Sequence, residues 1–197
     1  MWALPPAGPF HWSSNFDELQ DFEAAIRGHQ DGSGFMADTD FDATEASLGP
    51  EKAGYSPDLD ALAAYVQSLV GKVPQSPFRD ADGDWTDSAV LGREVVLVQQ
   101  CDTCHAGEQM IDAGWNDDGT PILHDVGTLL ETSGDRLGEP LTGLRTPSLW
   151  GLHASQPYLH DGRAATVEDA LSAHGVVLSE VDTANLVDYL LQVEANR

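Results

Sequence analysis

The sequence predicts an all-α fold with long loops. Apolar residues recur at helical spacing in several short segments, and a serine, threonine or asparagine precedes most of these segments as a candidate N-cap. Glycine and proline punctuate the intervening stretches, and no stretch shows the alternation of apolar and polar residues that is typical of strands. An apolar fraction of 41% is sufficient for a core, and 197 residues allow one domain or two small ones.

The first predicted helix begins after Asn15 as its N-cap and ends at Gly28. Its apolar residues lie at helical spacing: Leu19, Phe22 and Ile26. Residues 28–55 are rich in glycine, aspartate and serine, and this composition predicts a loop.

The second predicted helix begins at Ser56 as N-cap, has Pro57 at its first position and ends at Gly71. Its apolar stripe is formed by aliphatic residues: Leu59, Leu62, Ala63, Val66, Leu69 and Val70. The acidic run Asp80–Asp84 follows in a proline-containing stretch. It resembles the start of a calcium-binding loop, but the distal glutamate of an EF-hand is absent. We therefore predict a solvated turn, with a calcium site as the alternative.

Three more helices are predicted in the second half of the chain. One spans residues 88–100, and the glycine- and proline-rich residues 106–156 that follow are predicted to hold little regular structure. Thr166 opens a helix to His174 with a capping-box-like pattern, and Ser179 opens the terminal helix with the same signal. The predicted inner face of the terminal helix consists of Val181, Ala184, Val187, Leu190 and Leu191.

The most informative motif is Cys101-Asp102-Thr103-Cys104-His105, because C-x-x-C-H is the attachment signature of a c-type haem. Two thiols add to the two vinyl groups of the porphyrin, and the spacing places both sulfurs on one turn. His105 then reaches the iron from the proximal side. Cys101 and Cys104 are the only cysteines in the chain. The motif therefore predicts one covalently bound haem c.

Three other interpretations of the two cysteines are weaker. A thioredoxin-like dithiol follows a strand in a βαβ unit, and no such alternation is present. A structural zinc site needs four ligands, and a second cysteine or histidine pair at metal-binding spacing is missing. A disulfide that closes so small a loop adds little stability.

The charge of the chain excludes some classes of partner. With 33 acidic and 9 basic residues, the formal net charge of −24 disfavours nucleic acid and favours a redox partner with a basic docking face. It also suits a salty habitat.

No apolar run is long enough to span a membrane, so no membrane span is expected. No export signal is visible in Met1–Pro6. Because haem c is attached outside the cytoplasm, the expected location is periplasmic or extracellular, including the cell surface.

An internal repeat divides the chain. Residues 62–69 match residues 186–193 in pattern, and Pro9–Trp12 precedes the first copy as Pro157–His160 precedes the second. Repeats mark duplicated units. Only the second unit contains C-x-x-C-H, so the first is expected to be a partial unit that lacks its haem half.

Several segments resemble the C-terminal, electron-transfer haem domain of bacterial di-haem cytochrome c peroxidases. They are Thr146–Leu152, Pro157–Ala170 and the closing pattern Leu186–Leu191. The resemblance covers residues 88–197 and implies a class I cytochrome c-like fold there. Residues 9–70 resemble the later part of the first domain of that family.

The resemblance also implies ligands. In that domain the distal ligand is usually a methionine shortly after the H-D-G-x-A segment, and the matching position is His174. This implies bis-His ligation by His105 and His174. His160 is expected near the haem edge or a propionate, while Met110 and His160 are the weaker candidates for the distal ligand. Further residues expected around the cofactor are Pro147, Trp115, Trp150 and Tyr158.

The remaining histidines are assigned smaller roles. His124 lies in a stretch that resembles a family loop near the haem. His11, His29 and His153 are expected at the surface.

The predicted organisation is a degenerate cytochrome-like helical unit over 1–75, a linker over 76–87 and a c-type haem domain over 88–197. Peroxidases of the resembling family need two haems, and this chain has one motif. The predicted function is therefore single-electron transfer by a mono-haem cytochrome. The alternatives are a haem peroxidase, a subunit of such an enzyme, and one module of a larger multidomain exported protein.

Overall fold

The structure is a computed structural model that describes Leu4 and residues 8–195. The other residues of Met1–Pro6, where no export signal was found, lie outside the described part. The described chain is mostly helical, as predicted. Its α-helices are α1 (Phe22–Gly28), α2 (Asp38–Ala43), α3 (Pro57–Ser68), α4 (Asp87–Val98), α5 (Val167–Ala173) and α6 (Glu180–Gln192). Short 3-10 helices occupy Leu19–Asp21, Cys101–Thr103 and Leu152–Ala154.

The first helix begins later than predicted. The 3-10 turn precedes α1 and has Glu18, not Asn15, as its N-cap. The side chain of Asp21 accepts the backbone N–H of Glu18 (3.2 Å) and of Asp17 (3.0 Å). Asn15 instead accepts the hydroxyl of Ser13 at 2.7 Å. The prediction of Asn15 as N-cap was therefore wrong, because its side chain binds those of Ser13 and His11 and not a helix terminus.

Residues 28–55 were predicted as loop, but they contain helix α2. Its N-cap, Ala37, makes no side-chain cap, so no sequence signal marked its start. Arg27, which lies in α1, forms a 2.8 Å ion pair with Asp38, the first residue of α2, and so holds the start of that helix. The carboxylate of the buried Glu23 pairs with the same arginine at 2.8 Å and accepts the backbone N–H of Met36 at 3.0 Å.

Helix α3 has the predicted start. Ser56 accepts the N–H of Leu59 at 3.3 Å, and Pro57 occupies the first helical position. The helix ends at Ser68, before the predicted stop at Gly71. Of the predicted apolar stripe, Leu59 is fully buried, whereas Leu62 is exposed. Leu62 lies instead at the rim of a cavity described below.

The main core lies between α4 and α6, which pack closely. At the crossing, a Cβ on Gly92 would lie 1.9 Å from the backbone oxygen of Asn185, so only glycine fits. Polar bonds flank the contact, from Ser88 to Asn185 (2.8 Å) and from Gln192 to Thr86 (3.0 Å).

The buried face of α6 differs from the predicted one. Val187 and Leu190 are buried as expected, but Val181 is 69% exposed. Leu186 and Tyr189 are buried in its place. The close approach at Asn185 rotates α6 so that these residues face the core. Ser179 caps the helix as predicted by accepting the N–H of Asp182 at 3.1 Å.

One short hairpin, β1 (Asp135–Arg136) and β2 (Glu139–Pro140), lies in the segment predicted to have little regular structure. Its turn residues, Leu137 and Gly138, both have positive φ, as the tight turns of two-residue hairpins require. The side chain of Arg136 donates to the backbone oxygens of Ser13 (3.0 Å) and Ser14 (3.3 Å). The hairpin thus fastens the N-terminal segment to the second half of the chain.

The two copies of the repeat share a local conformation. The N–H of Phe10 donates to the oxygen of Phe16, and that of Tyr158 donates to the oxygen of Ala164, both at 2.8 Å. The residues after Phe10 and Tyr158 both have positive φ, 70° at His11 and 68° at Leu159.

The acidic run folds into a turn in which Asp80 accepts the backbone N–H groups of Asp82 (3.0 Å) and Asp84 (2.8 Å). Within the described residues, no helix combines the length and apolarity needed to cross a bilayer.

Candidate haem site

The C-x-x-C-H motif follows directly from α4. Gln100 leaves the helix in the left-handed conformation (φ 56°), and the 3-10 turn Cys101–Thr103 begins at once. The carbonyl of Cys101 accepts the N–H of Cys104 (3.3 Å) and of His105 (2.9 Å). This single turn brings both sulfurs and the imidazole to the wall of one cavity of about 550 Å³.

Burial controls the protonation of these groups. It raises the pKa of Cys101, and it raises the pKa of Cys104, with the charge of Asp112 adding to the second effect. Burial also lowers the pKa of His105. Hydrogen bonds to the backbone carbonyls of Met110 and Pro147 act in the opposite direction on that pKa. The site therefore favours thiols and a neutral imidazole, which is the form that ligates iron.

His174 lines the same cavity as His105. It is the C-cap of α5, whose start is fixed by the predicted capping box between Thr166 and Asp169 (3.1 Å in each direction). The two histidines therefore reach one cavity from different segments of the chain. The residues fit the predicted pair of ligands, although coordination itself stays a prediction.

Four of the five further residues predicted at the cofactor also line this cavity: Pro147, Trp150, Tyr158 and His160. Trp150 and Tyr158 are buried, and the Tyr158 hydroxyl donates to the backbone oxygen of Leu152 at 2.9 Å. Trp115 is not in the lining, contrary to expectation. It forms an isolated bridge with Pro121 in a separate turn.

His160 is partly buried and asymmetric in its hydrogen bonding. Its Nε2 atom lies 2.8 Å from the hydroxyl of Ser133, whereas its Nδ1 atom is buried without a partner among the described residues. The indole of Trp12 meets the ring edge to face at 6.4 Å. The unpaired Nδ1 atom is free to contact a bound group.

The other histidines divide into two kinds. His11 and His29 are exposed, as predicted. His153 was expected at the surface, but both of its ring nitrogens are buried and have no partner among the described residues. The reason is that the 3-10 helix Leu152–Ala154 packs against α6.

His124 lines the cavity and brings a further ligand set to Cys104. Its Nε2 atom lies 2.6 Å from a carboxylate oxygen of Asp112, and ligand atoms of Cys104, Asp112 and His124 lie within 4.8 Å of one another. Three such ligands can hold zinc. This set has three ligands and contains no second cysteine or histidine pair, whose absence argued against a structural zinc site of four ligands. Haem attachment and metal binding would compete for the same sulfur.

Two residues that were not predicted at the site, Arg145 and Trp12, also line the cavity. Arg145 is one of only 9 basic residues and directly precedes the Thr146-Pro147 segment, a signal that could have identified it. Trp12 belongs to the other half of the chain, and no local pattern places it here.

The donor set suits a haem. Two adjacent thiols, one neutral imidazole beside them and a second imidazole from α5 meet in a mostly apolar cavity. Buried N–H donors without partners, on His160 and on Arg145, remain for the polar edge of such a group.

The chain is similar in sequence to a known protein and shares its fold with two solved structures. The chain is 30% identical over 172 residues to hydrazine synthase subunit gamma of Kuenenia stuttgartiensis. That match covers 67% of this chain and 48% of the relative, so the chain spans about half of the relative's length. No family model matches the chain.

Two solved structures share the fold. Hydrazine synthase of Kuenenia stuttgartiensis, pressurised with 20 bar xenon, superposes with a TM-score of 0.53 at 26% identity, over 71% of this chain and 56% of that one. A MauG-like protein associated with microbial copper homeostasis superposes with a TM-score of 0.50 at 18% identity, over 72% of this chain and 58% of that one. The second likeness concerns the fold alone.

Proposed function

We propose that this protein is a mono-haem c-type cytochrome that transfers single electrons outside the cytoplasm. The observation that supports this most strongly is the meeting of Cys101, Cys104, His105 and His174 at one cavity. A haem bound there supplies a one-electron redox couple. With His105 and His174 both bound, the iron would have no open position for a substrate, which suits electron transfer.

The protein's own residues perform three tasks in this proposal. Cys101 and Cys104 anchor the porphyrin, and His105 and His174 hold the iron. Trp150 and Tyr158, which are buried in the cavity wall, exclude water and thereby help to set the reduction potential.

The location and the partner follow from the same chemistry. Haem attachment implies a periplasmic or extracellular site of maturation. A net charge of −24 suits docking to a basic redox partner, and association should slow as salt rises because the Debye length falls to about 8 Å near physiological ionic strength.

The domain organisation is also part of the proposal. Residues 88–197 form the haem domain, and residues 1–75 form a degenerate cytochrome-like unit joined through 76–87. Contacts from Arg136 and Arg145 to the backbone of residues 12–14 hold the two parts together.

A peroxidase-type enzyme, or a subunit of one, is the second candidate. A smaller cavity of about 400 Å³ lies in the N-terminal half, between the Phe10 region, α1 and α3, and it suits a second apolar group. The similarity to a subunit of hydrazine synthase agrees with a role in a larger assembly.

The two candidates can be distinguished with protein produced alongside haem-maturation machinery. A role in electron transfer predicts that the protein mass increases by the mass of one haem. It also predicts a low-spin ferric spectrum and negligible turnover of peroxide. A high-spin ferric band together with peroxide turnover would favour the enzyme. An unmodified mass would refute both.

A further inference from the structure

Arg145 lies in a wall that two cavities share. It lines the larger cavity with His105 and the smaller one with Leu59, and Trp12 and Pro147 line both cavities as well. The backbone N–H of Arg145 donates to the oxygen of Trp12 at 2.9 Å, which fixes this part of the chain.

The guanidinium of Arg145 is mostly buried and forms no ion pair with a described carboxylate. Its Nε and Nη1 atoms are buried, and neither has a hydrogen-bond partner among the described residues. The chain has 33 acidic residues, yet no described carboxylate forms an ion pair with Arg145. A buried charge is costly unless an opposite charge compensates it. An anion bound in the cavity would compensate this charge.

The same cavity has a second buried nitrogen without a hydrogen-bond partner among the described residues. The Nδ1 atom of His160 is buried without a partner, and its ring packs against Trp12, the residue whose oxygen holds the Arg145 backbone. Two buried nitrogen groups without partners around one tryptophan define a small polar region in a mostly apolar wall.

We propose that Arg145 binds a carboxylate of the haem, one of its propionates, with His160 beside it. This inference rests on the proposed function, because it takes the haem as the occupant of the larger cavity. Carboxylate and guanidinium form strong charge-assisted hydrogen bonds, and the low dielectric of the wall strengthens them further. The positive charge also favours the reduced haem, because reduction removes one positive charge from the iron centre.

The test is the reduction potential of the haem-loaded protein. Arg145→Gln removes the charge and keeps a polar side chain, while Arg145→Lys keeps the charge. Arg93→Gln on α4 is the matched control, because Arg93 is exposed and lies outside both cavities. We expect Arg145→Gln to shift the ferric–ferrous equilibrium toward the ferric form by about tenfold or more, which is about 59 mV for a one-electron couple. Arg145→Lys should shift the reduction potential much less, because it keeps the positive charge.

If the haem is still attached and the reduction potential shifts no more in Arg145→Gln than in Arg93→Gln, the role of Arg145 is wrong. The proposed haem site would not be affected by that result. Wild-type protein that carries no attached haem would instead refute the proposed function. If Arg145→Gln does not accumulate, Arg145→Met provides the same test, because its apolar side chain leaves no unpaired donor in the wall.

Discussion

The Nδ1 atom of His174 lies 2.9 Å from the backbone oxygen of Ala170, one turn earlier in α5. A carbonyl oxygen can only accept, so in the neutral ring this contact favours the proton on Nδ1 and the lone pair on Nε2. In a histidine that ligates a metal, the ring nitrogen that does not bind the metal commonly donates such a hydrogen bond, which orients the ring. The geometry therefore prepares His174 to ligate through Nε2.

Replacing His174 with methionine should raise the reduction potential. Methionine ligation gives haem a higher potential than histidine ligation does. Spectroelectrochemical titration of His174→Met should show this rise with the haem still attached. The matched control is His29→Met, at an exposed position, and an equal rise there would contradict the ligand assignment.

The buried ion pair between Lys52 and Asp21 should be critical for stability. Both side chains are almost fully buried, with Nζ and Oδ1 2.7 Å apart. Lys52→Met leaves Asp21 as an uncompensated buried charge and should cost about 3–5 kcal/mol in urea unfolding of the haem-loaded protein. The double variant Lys52→Met/Asp21→Asn should recover much of this loss.

The other lysine, Lys72, provides the control for that experiment, since it is exposed. Lys72→Met should change the free energy of unfolding by less than about 0.5 kcal/mol. Equal losses in Lys52→Met and Lys72→Met would show that the buried pair contributes nothing specific.

The crossing of α4 and α6 should not tolerate a larger residue at Gly92. An added Cβ would lie 1.9 Å from the backbone oxygen of Asn185, so the helices must separate. Gly92→Ala should reduce the free energy of unfolding by about 1–3 kcal/mol or more. Gly28→Ala is the control, because Gly28 ends α1 with no atom near its added methyl, and it should cause no loss.

Stability should depend on the ionisation of Asp17. Burial, together with the hydrogen bond and charge of Asp21, raises the pKa of Asp17 to about 6, from an ordinary value of 3.8. A raised pKa in the folded state favours folding while the group is protonated, and this contribution is lost as the pH rises through about 6.

Asp17→Asn should therefore stabilise the protein relative to wild type at pH 7, and the difference should vanish toward pH 4. Urea unfolding across this pH range checks it, with Asp42→Asn on the exposed side of α2 as control. A stabilisation by Asp17→Asn that is constant across the pH range would contradict the assignment.

Local signals in the sequence predicted much of the fold. Ser56, Thr166 and Ser179 cap the helices they were expected to cap, because a side-chain acceptor beside the first turn acts within a few residues. The features that were missed depend on distant contacts. Helix α2 has no capping side chain and relies on Arg27, while the rotation of α6 depends on Gly92 in another helix.

The same distinction applies to the site. Cys101, Cys104 and His105 are adjacent in sequence, so one motif identifies them. Trp12 could not be recognised, because its position at the cavity depends on tertiary packing. His153 was misplaced for the same reason, since a histidine in a loop carries no local sign of burial.

The most direct test of bis-His ligation is the visible spectrum of ferric His174→Ala beside that of the wild type. We predict a low-spin wild type, a high-spin band in His174→Ala with the haem still attached, and a return to the low-spin spectrum when imidazole is added. A low-spin spectrum of His174→Ala that is identical to that of the wild type would contradict ligation by His174, and Met110 or His160 would then be the residues to replace.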